Sequence, residues 1–317
     1  MESVFLDYGT VSSGDLDATG LTTRLPGLRL LEFTEDADIA AKIGNAEVVL
    51  LNQLNLTREL IGAAPRLALI ALAATGTDNV DLAAAREHGV AVCNVRGYCT
   101  PSVTQHVWAM ILALTQRLPA IAEQRSCPDW WKTSRPSLPE PPIRELAGRT
   151  LGIVGWGELG ASVARIGEAF GMRILVANRP QAAPQDGRLD LDDVLGAADV
   201  VSLHCPLSAA TRGMIGARQL ALMKSDALLI NTARGALVDG HALAAALRAG
   251  RLGGAGIDVL PQEPPVDGDP LLDRAIPNLV LTPHVAWAAR EARQRCLDDM
   301  ALSVEQFFRG GNRGRVV

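Results

Sequence analysis

The chain has 317 residues, 48% apolar and 21% charged, with a formal net charge of −5 and a pI near 5.6. This length suits two domains with separate cores, the composition is that of a soluble globular protein, and the acidic balance offers no basic field for nucleic acid. Its longest apolar stretch, around 67–74, is far too short to span a bilayer, which leaves no membrane role to expect.

Glu2 and Asp7 break the first apolar run, so no signal peptide is expected. In the N-terminal third, apolar runs at 4–6, 47–51, 67–74 and 90–95 predict strands, with helix-like segments such as 37–43 and 82–87 between them. That alternation indicates a parallel sheet flanked by helices. Thr100-Pro101-Ser102 opens a long apolar-rich helix reaching about residue 118, with Pro101 suited to a first turn. The stretch 127–142 holds five prolines together with Trp130 and Trp131, and predicts a loop or an extended arm. A second αβ block begins at Thr150, with strands expected at 151–155, 173–177, 199–204, 227–231, 256–259 and 279–281, enough for one complete doubly wound sheet. The final amphipathic helix, expected over 286–308, has no strand after it. It is expected to return to the first domain and make that domain discontinuous: 1–100 plus 285–317, around a second domain at 101–284. The five cysteines, Cys93, Cys99, Cys127, Cys205 and Cys296, form no Cys-x-x-Cys pair, and their odd number and scatter predict reduced thiols in a cytoplasm.

Gly155-Trp156-Gly157-Glu158-Leu159-Gly160, directly after the apolar run Leu151-Gly152-Ile153-Val154, is the dinucleotide-binding fingerprint in its strand–turn–helix context. Gly155 allows the tight turn, Gly157 lets the backbone approach a pyrophosphate, and Gly160 lets helix and strand pack closely. The helix N-terminus then meets the phosphates with unpaired N–H groups.

Ligands of such sheets bind at the carboxyl ends of the strands, where three ionisable residues stand out: Arg234, Glu263 and His284. Arginine offers a planar fork for a carboxylate or keto oxygen, histidine exchanges protons near neutrality, and a carboxylate partner would hold the imidazole's tautomer. Taken singly, Arg234 reads equally as a surface ion pair, Glu263 as solvated and His284 as a helix cap. Jointly, behind a dinucleotide fingerprint, they point to reduction of a 2-oxoacid.

Over essentially its whole length the sequence resembles the D-isomer-specific 2-hydroxyacid dehydrogenases. The resemblance rests on Ala74-Thr75-Gly76-Thr77-Asp78-Asn79-Val80-Asp81, the fingerprint, Leu203-His204-Cys205-Pro206-Leu207, the segment 223–239 with Asn231-Thr232-Ala233-Arg234-Gly235, then 258–264 and 282–287. Val95-Arg96-Gly97-Tyr98, Gln105-His106-Val107 and Pro283-His284-Val285-Ala286-Trp287 look most like the glycerate dehydrogenases, or hydroxypyruvate and glyoxylate reductases. The resemblance implies an α/β fold of two doubly wound parallel-sheet domains, a Rossmann dinucleotide-binding domain and a discontinuous flavodoxin-like substrate domain. It implies that Arg234 polarises the substrate, that His284 is the acid/base and that Glu263 is its partner. Backbone amides at Thr75 and Gly76 would receive the substrate carboxylate, with Trp287 and the Trp130-Trp131 arm as candidate pocket walls. Glu158 and Leu159 would lie along the pyrophosphate, Cys205, Thr232, Ala233 and Asp258 along the cofactor, and Thr104 on the nicotinamide side. Cys205 is then a cofactor contact rather than a nucleophile. A homodimer is implied, with the second subunit a candidate source of the arm, and no metal.

Asn178 departs from the family pattern. It lies at the end of the second strand of this domain, where an acidic residue usually takes the ribose hydroxyls of NAD(H). Asn178 is neutral and Arg179 follows it, which favours NADP(H), or use of both cofactors. The plainer alternative is that Asn178 still bonds a ribose hydroxyl while Arg179 stacks on adenine or faces solvent. The reading is an oxidoreductase for a small 2-oxoacid or 2-hydroxyacid. A dehydrogenase for a bulkier D-2-hydroxyacid and a non-catalytic dinucleotide-sensing protein are the alternatives.

Overall fold

Continuous rather than alternating apolar runs form the strands of this chain, as physical chemistry requires where helices cover both faces of a parallel sheet. The computed structural model describes residues 1–124, 142–179 and 185–317. The predicted arm with Cys127, Trp130 and Trp131 therefore lies outside the described residues. The chain divides into two units, Met1–Cys99 with Trp287–Val317, and Thr100–Ala286.

In the first unit, β1 (Ser3–Phe5), β2 (Arg29–Leu30), β3 (Val48–Leu51), β4 (Leu69–Leu72) and β5 (Ala91–Cys93) make a five-stranded parallel sheet. Its order β2-β1-β3-β4-β5 is that of a flavodoxin-like sheet. Helices α1 (Thr19–Arg24), α2 (Ile39–Ile43), α3 (Arg58–Gly62) and α4 (Leu82–Glu87) connect the strands. Alternate strand residues feed two cores: Phe5, Val48, Leu50, Leu69 and Ala71 on one face, Val4, Val49, Leu51, Ile70 and Leu72 on the other.

In the second unit, α5 (Thr100–Thr115) and α6 (Leu118–Gln124) precede β6 (Thr150–Val154), α7 (Glu158–Ala169) and β7 (Arg173–Val176). There follow α8 (Leu191–Ala197), β8 (Val200–Leu203), α9 (Ala217–Leu222), β9 (Leu228–Asn231), α10 (Gly240–Arg248), β10 (Gly254–Ile257) and β11 (Leu279–Leu281). The sheet is parallel throughout, in the order β7-β6-β8-β9-β10-β11. A single parallel bridge, Ala177 to Leu189, extends it beside β7. Counting that bridge as a minimal strand gives the Rossmann order. The order reverses between β6 and β8, and the fingerprint turn follows β6 at that switch point.

The long helix expected to reach residue 118 stops at Thr115, because Arg117 is left-handed (φ 57°) and Pro119 cannot sit inside a continuing helix. The last helix, α11 (Arg290–Phe308), starts four residues later than expected, and its Ala292, Cys296, Leu297, Met300, Ala301 and Val304 complete the first unit's core. The chain end then lies along the edge of β5, through a bridge from Arg315 to Cys93 and a Val316 N–H bond to the Val92 carbonyl of 2.8 Å.

Helix α5 is drawn close to the second sheet by glycine. A Cβ on Gly256 would stand 2.9 Å from Met110 Cβ and 3.0 Å from Ile230 Cδ1. Gly256→Val should therefore overpack the α5–β10 contact and cost about 1–3 kcal/mol, read as a lower midpoint in urea unfolding. An unchanged midpoint would mean that α5 is not held at this distance by packing.

Candidate active site

The fingerprint glycines have three separate environments. Gly155 has φ 104°, and a Cβ there would lie 2.6 Å from Cys205 N and from the His204 carbonyl carbon, so the ends of β6 and β8 meet backbone to backbone. A Cβ on Gly160 would lie 2.1 Å from the Gly155 carbonyl oxygen. A Cβ on Gly157 would meet nothing within 4 Å. Gly157 is also the N-cap of α7 and caps with no side chain, so the first-turn N–H groups there face open space, as a phosphate requires. Glu158, in that first turn, accepts a hydrogen bond from Thr100 Oγ1 of 2.7 Å. Leu159 follows it, half-buried.

Arg234, Glu263 and His284 follow β9, β10 and β11. Asn231, the last residue of β9, braces the arginine loop: its amide NH2 donates to the Arg234 carbonyl (2.9 Å), and its Oδ1 accepts from Ala233 N (3.0 Å). A Cβ on Gly235 would lie 2.0 Å from the Leu260 carbonyl carbon, so only glycine lets the Arg234 loop abut the loop that carries Glu263. Glu263 Oε1 accepts from Leu260 N (2.7 Å), and its Oε2 lies 2.5 Å from His284 Nδ1. Burial raises the Glu263 pKa, but the hydrogen bond and charge of His284, the Leu260 amide and Arg234 together outweigh it and hold the carboxyl below its ordinary range. The Glu263–Pro264 peptide is cis. His284 is left-handed (φ 54°) and its side chain is 38% exposed, open for proton exchange.

The other histidine at a strand end, His204, is half-buried, and desolvation pushes its pKa down to about 4. It is therefore neutral near pH 7. Cys205 is buried, its thiol raised by burial, with Sγ 3.7 Å from Met214 Sδ, so it is no nucleophile. Cys93, Cys205 and Cys296 are free thiols.

Thr104 Oγ1, His204 Nδ1 and Thr232 Oγ1 are buried without hydrogen-bond partners among the described residues. An unmet buried polar atom costs about 1–3 kcal/mol, and no described residue meets these three. Asn178 donates its backbone N–H to the Leu189 carbonyl (2.8 Å), and its Oδ1 accepts from Gln185 N (3.2 Å). Arg179 is exposed beside it. Ala233 is half-buried in the arginine loop. Asp258 is buried, and its carboxylate accepts from Thr282 Oγ1, Val285 N and Ala286 N.

Thr75, Gly76 and Trp287 belong to the first unit. Thr75 follows β4 and is pinned by its hydroxyl to the Val95 carbonyl (2.7 Å) and by its own carbonyl to Asn94 Nδ2 (2.6 Å). The amides of Thr75 and Gly76 donate to no group among the described residues. Trp287 packs against the core beneath α11.

Sequence reasoning gave no role to Ser102, His106, Asn231 or Thr282, which brace these loops. Ser102 Oγ donates to the Ala286 carbonyl (2.6 Å), and His106 Nε2 lies 3.0 Å from Thr282 Oγ1. The available signal was the set of polar residues within the apolar α5. Among the described residues no three His, Cys, Asp or Glu side chains gather to hold a metal, and no helix is long and apolar enough to cross a membrane.

Known proteins share this sequence pattern and this fold. The family model "D-isomer specific 2-hydroxyacid dehydrogenase, NAD binding domain" matches residues 108–286. A glycerate dehydrogenase of Methylorubrum extorquens is 45% identical over 273 residues, 86% of each chain. The crystal structure of the TT0316 protein from Thermus thermophilus superposes with a TM-score of 0.87 at 34% identity, covering both chains fully. An acyclic imino acid reductase, Bsp5, in complex with NADPH and D-Arg superposes with a TM-score of 0.86 at 25% identity, again over both full chains.

The depressed Glu263 carboxyl has a stability consequence. Its folded pKa lies below the unfolded one, so its contribution is complete above the unfolded value of about 4.3 and disappears as pH falls through the folded value. Glu263→Gln should thus lower the unfolding midpoint near pH 7, and the gap to the parent should close on acidification. A gap that widens toward low pH would show that Glu263 is not held as a carboxylate.

Proposed function

Because the chain belongs to the D-isomer-specific 2-hydroxyacid dehydrogenases, and is an NAD(P)-dependent enzyme of that class, we propose that it interconverts hydroxypyruvate or glyoxylate with D-glycerate or glycolate. The observation that carries the reading is the 2.5 Å His284–Glu263 pair, with the Arg234 loop packed against the loop that carries Glu263. The glycerate dehydrogenase among the relatives supports the substrate, since the 2-oxoacid of glycerate is hydroxypyruvate.

Arg234 holds and polarises the keto oxygen through its planar guanidinium. The substrate carboxylate is taken by the amides of Thr75 and Gly76, which have no partner within the protein among the described residues. Trp287 is proposed as a wall of the substrate pocket. The cofactor's residues are Gly155, Gly157, Glu158, Leu159, Gly160, Asn178, Arg179, Cys205, Thr232, Ala233 and Asp258, with Thr104 on the nicotinamide side. A bound nicotinamide supplies the hydride to the keto carbon. His284, as imidazolium held by the Glu263 carboxylate, gives its proton to the developing alkoxide, and as neutral imidazole takes it back in the oxidative direction. A cytoplasmic homodimer is the assembly that the family resemblance supports.

For the cofactor we propose a preference for NADP(H), or use of both. Gln185 N engages the Asn178 acceptor, the side-chain NH2 makes no hydrogen bond among the described residues, and donors rather than a carboxylate suit a 2′-phosphate. The exposed Arg179 adds the positive charge.

The following measurements test this reading. Oxidation of NADPH and NADH with hydroxypyruvate and with glyoxylate should be faster with NADPH, and Asn178→Asp should move the preference toward NADH. Faster turnover with NADH would overturn the cofactor reading and leave the enzyme. His284→Gln should lower the rate by about 10²–10⁴-fold, and Arg234→Ala should damage both KM and kcat. Reduction should fall and oxidation rise with increasing pH, and matching profiles in the two directions would remove His284 as the shared acid/base. Tight cofactor binding without turnover of any 2-oxoacid would favour a sensing protein.

A further inference from the structure

We propose that His106, acting through Thr282 and the buried Asp258, is a positioning residue that fixes the orientation of the His284 imidazole. The inference rests on the proposed role of His284 and goes beyond it. His106 lies on α5, its side chain 21% exposed, while the Asp258 side chain has no exposure. The contacts form a chain from His106 Nε2 to Thr282 Oγ1 (3.0 Å), and from Thr282 Oγ1 to Asp258 Oδ1 (2.5 Å).

Donor and acceptor roles give this chain a direction. Asp258 accepts from Val285 N at Oδ1 and from Ala286 N at Oδ2, each at 2.9 Å, so the carboxylate serves as acceptor at both oxygens. The single hydroxyl proton of Thr282 then goes to Asp258, and Thr282 Oγ1 can only accept from His106. His106 must therefore carry its proton at Nε2. A hydroxyl that is free to turn has become one with both partners assigned.

The chain bears on His284 because it closes a bracket around that residue. On one side Thr282 is tied to Asp258, and on the other Val285 and Ala286 are tied to the same carboxylate. The His284 amide itself donates to the Asp258 carbonyl at 2.7 Å. Inside the bracket His284 sits at φ 54°, a left-handed conformation that is strained for a non-glycine residue and persists only where its surroundings over-determine it. Removing the His106 donor frees the Thr282 hydroxyl to turn, loosens one side of the bracket, and lets residue 284 relax. The imidazole then leaves the 2.5 Å contact with Glu263. A histidine that merely fills space on α5 would make no demand on which nitrogen carries the proton.

Two paired substitutions separate donation from bulk. In His106→Gln the amide NH2 can replace the Nε2 donor, and in His106→Leu nothing can. Thr282→Ser keeps the hydroxyl, and Thr282→Val removes it. In imidazole ¹H–¹⁵N spectra of the full chain, whose five histidines give a tractable set of signals, His106 should be protonated at Nε2 and the His284 Nδ1 proton should be strongly downfield. His106→Leu and Thr282→Val should move or abolish the His284 signal, while His106→Gln and Thr282→Ser retain it. In turnover, the Leu and Val variants should lose roughly 10–100-fold in kcat, with KM for the 2-oxoacid and for the cofactor unchanged. The Gln and Ser variants should recover kcat. A His106 protonated only at Nδ1, a His284 signal indifferent to His106→Leu, or equal losses in His106→Leu and His106→Gln would overturn the proposal. The spectra need no substrate, so a parent enzyme inert toward 2-oxoacids would fail the proposed function and leave this inference to be decided by them. Should His106→Leu not fold, the Thr282 pair reads the same chain.

Discussion

The Asp258 carboxylate is wholly buried, and a carboxylate survives there only when hydrogen bonds replace the water it has given up. Its donors, Thr282 Oγ1 and the amides of Val285 and Ala286, all come from the segment after β11, while Asp258 itself directly follows β10. One desolvated group thereby ties the ends of two neighbouring strands together. Residue 284 is held between its attachments, so the geometry of His284 is inherited from a burial constraint two loops deep.

Two backbone-to-backbone approaches complete the carboxyl edge of the second sheet, and glycine permits both. Gly155 brings the end of β6 against His204 and Cys205, and Gly235 brings the end of β9 against Leu260 and Pro261. Any side chain at either position would push the strand ends apart by more than loop flexibility can absorb. The first approach shapes the phosphate-facing turn, and the second sets Arg234 beside the loop of Glu263. The two loops are thus spaced by the same device, on a sheet whose register is fixed by continuous parallel pairing.

Much of this was legible in the sequence because it depends on local pattern. Apolar runs followed by glycine or polar residues marked ten of the eleven strands among the described residues, and the residues just past them marked Arg234, Glu263 and His284. Strand β2 escaped notice because Arg29–Leu30 is a two-residue edge strand with no buried run. The bridge at Leu189 was invisible for the same reason, since one residue has no periodicity. The break at Arg117 was masked by apolar residues that continue across it. The bracing roles of Ser102, His106, Asn231 and Thr282 depend on contacts between residues far apart in sequence, and spacing carries no such information. Asn231 is the exception, since its partners are only two and three residues away, and an Asx-type contact at a strand end is a local signal.

An acidic residue in the first turn of α7 poses a conflict that the structure resolves locally. Glu158 is favoured there by the helix dipole, by about 0.3–1 kcal/mol at an exposed terminus, and this end has no side-chain cap of its own. The same end is shaped for a phosphate, whose charge the carboxylate would oppose. Thr100, at the start of α5, donates to Glu158 Oε1 at 2.7 Å and so draws the carboxylate toward α5. The negative charge still complements the terminal N–H groups when no anion is bound, and the open face of Gly157 stays clear. A helix end that must be stable empty and receptive to phosphate needs its acidic group held to one side, and a single hydroxyl supplies that restraint.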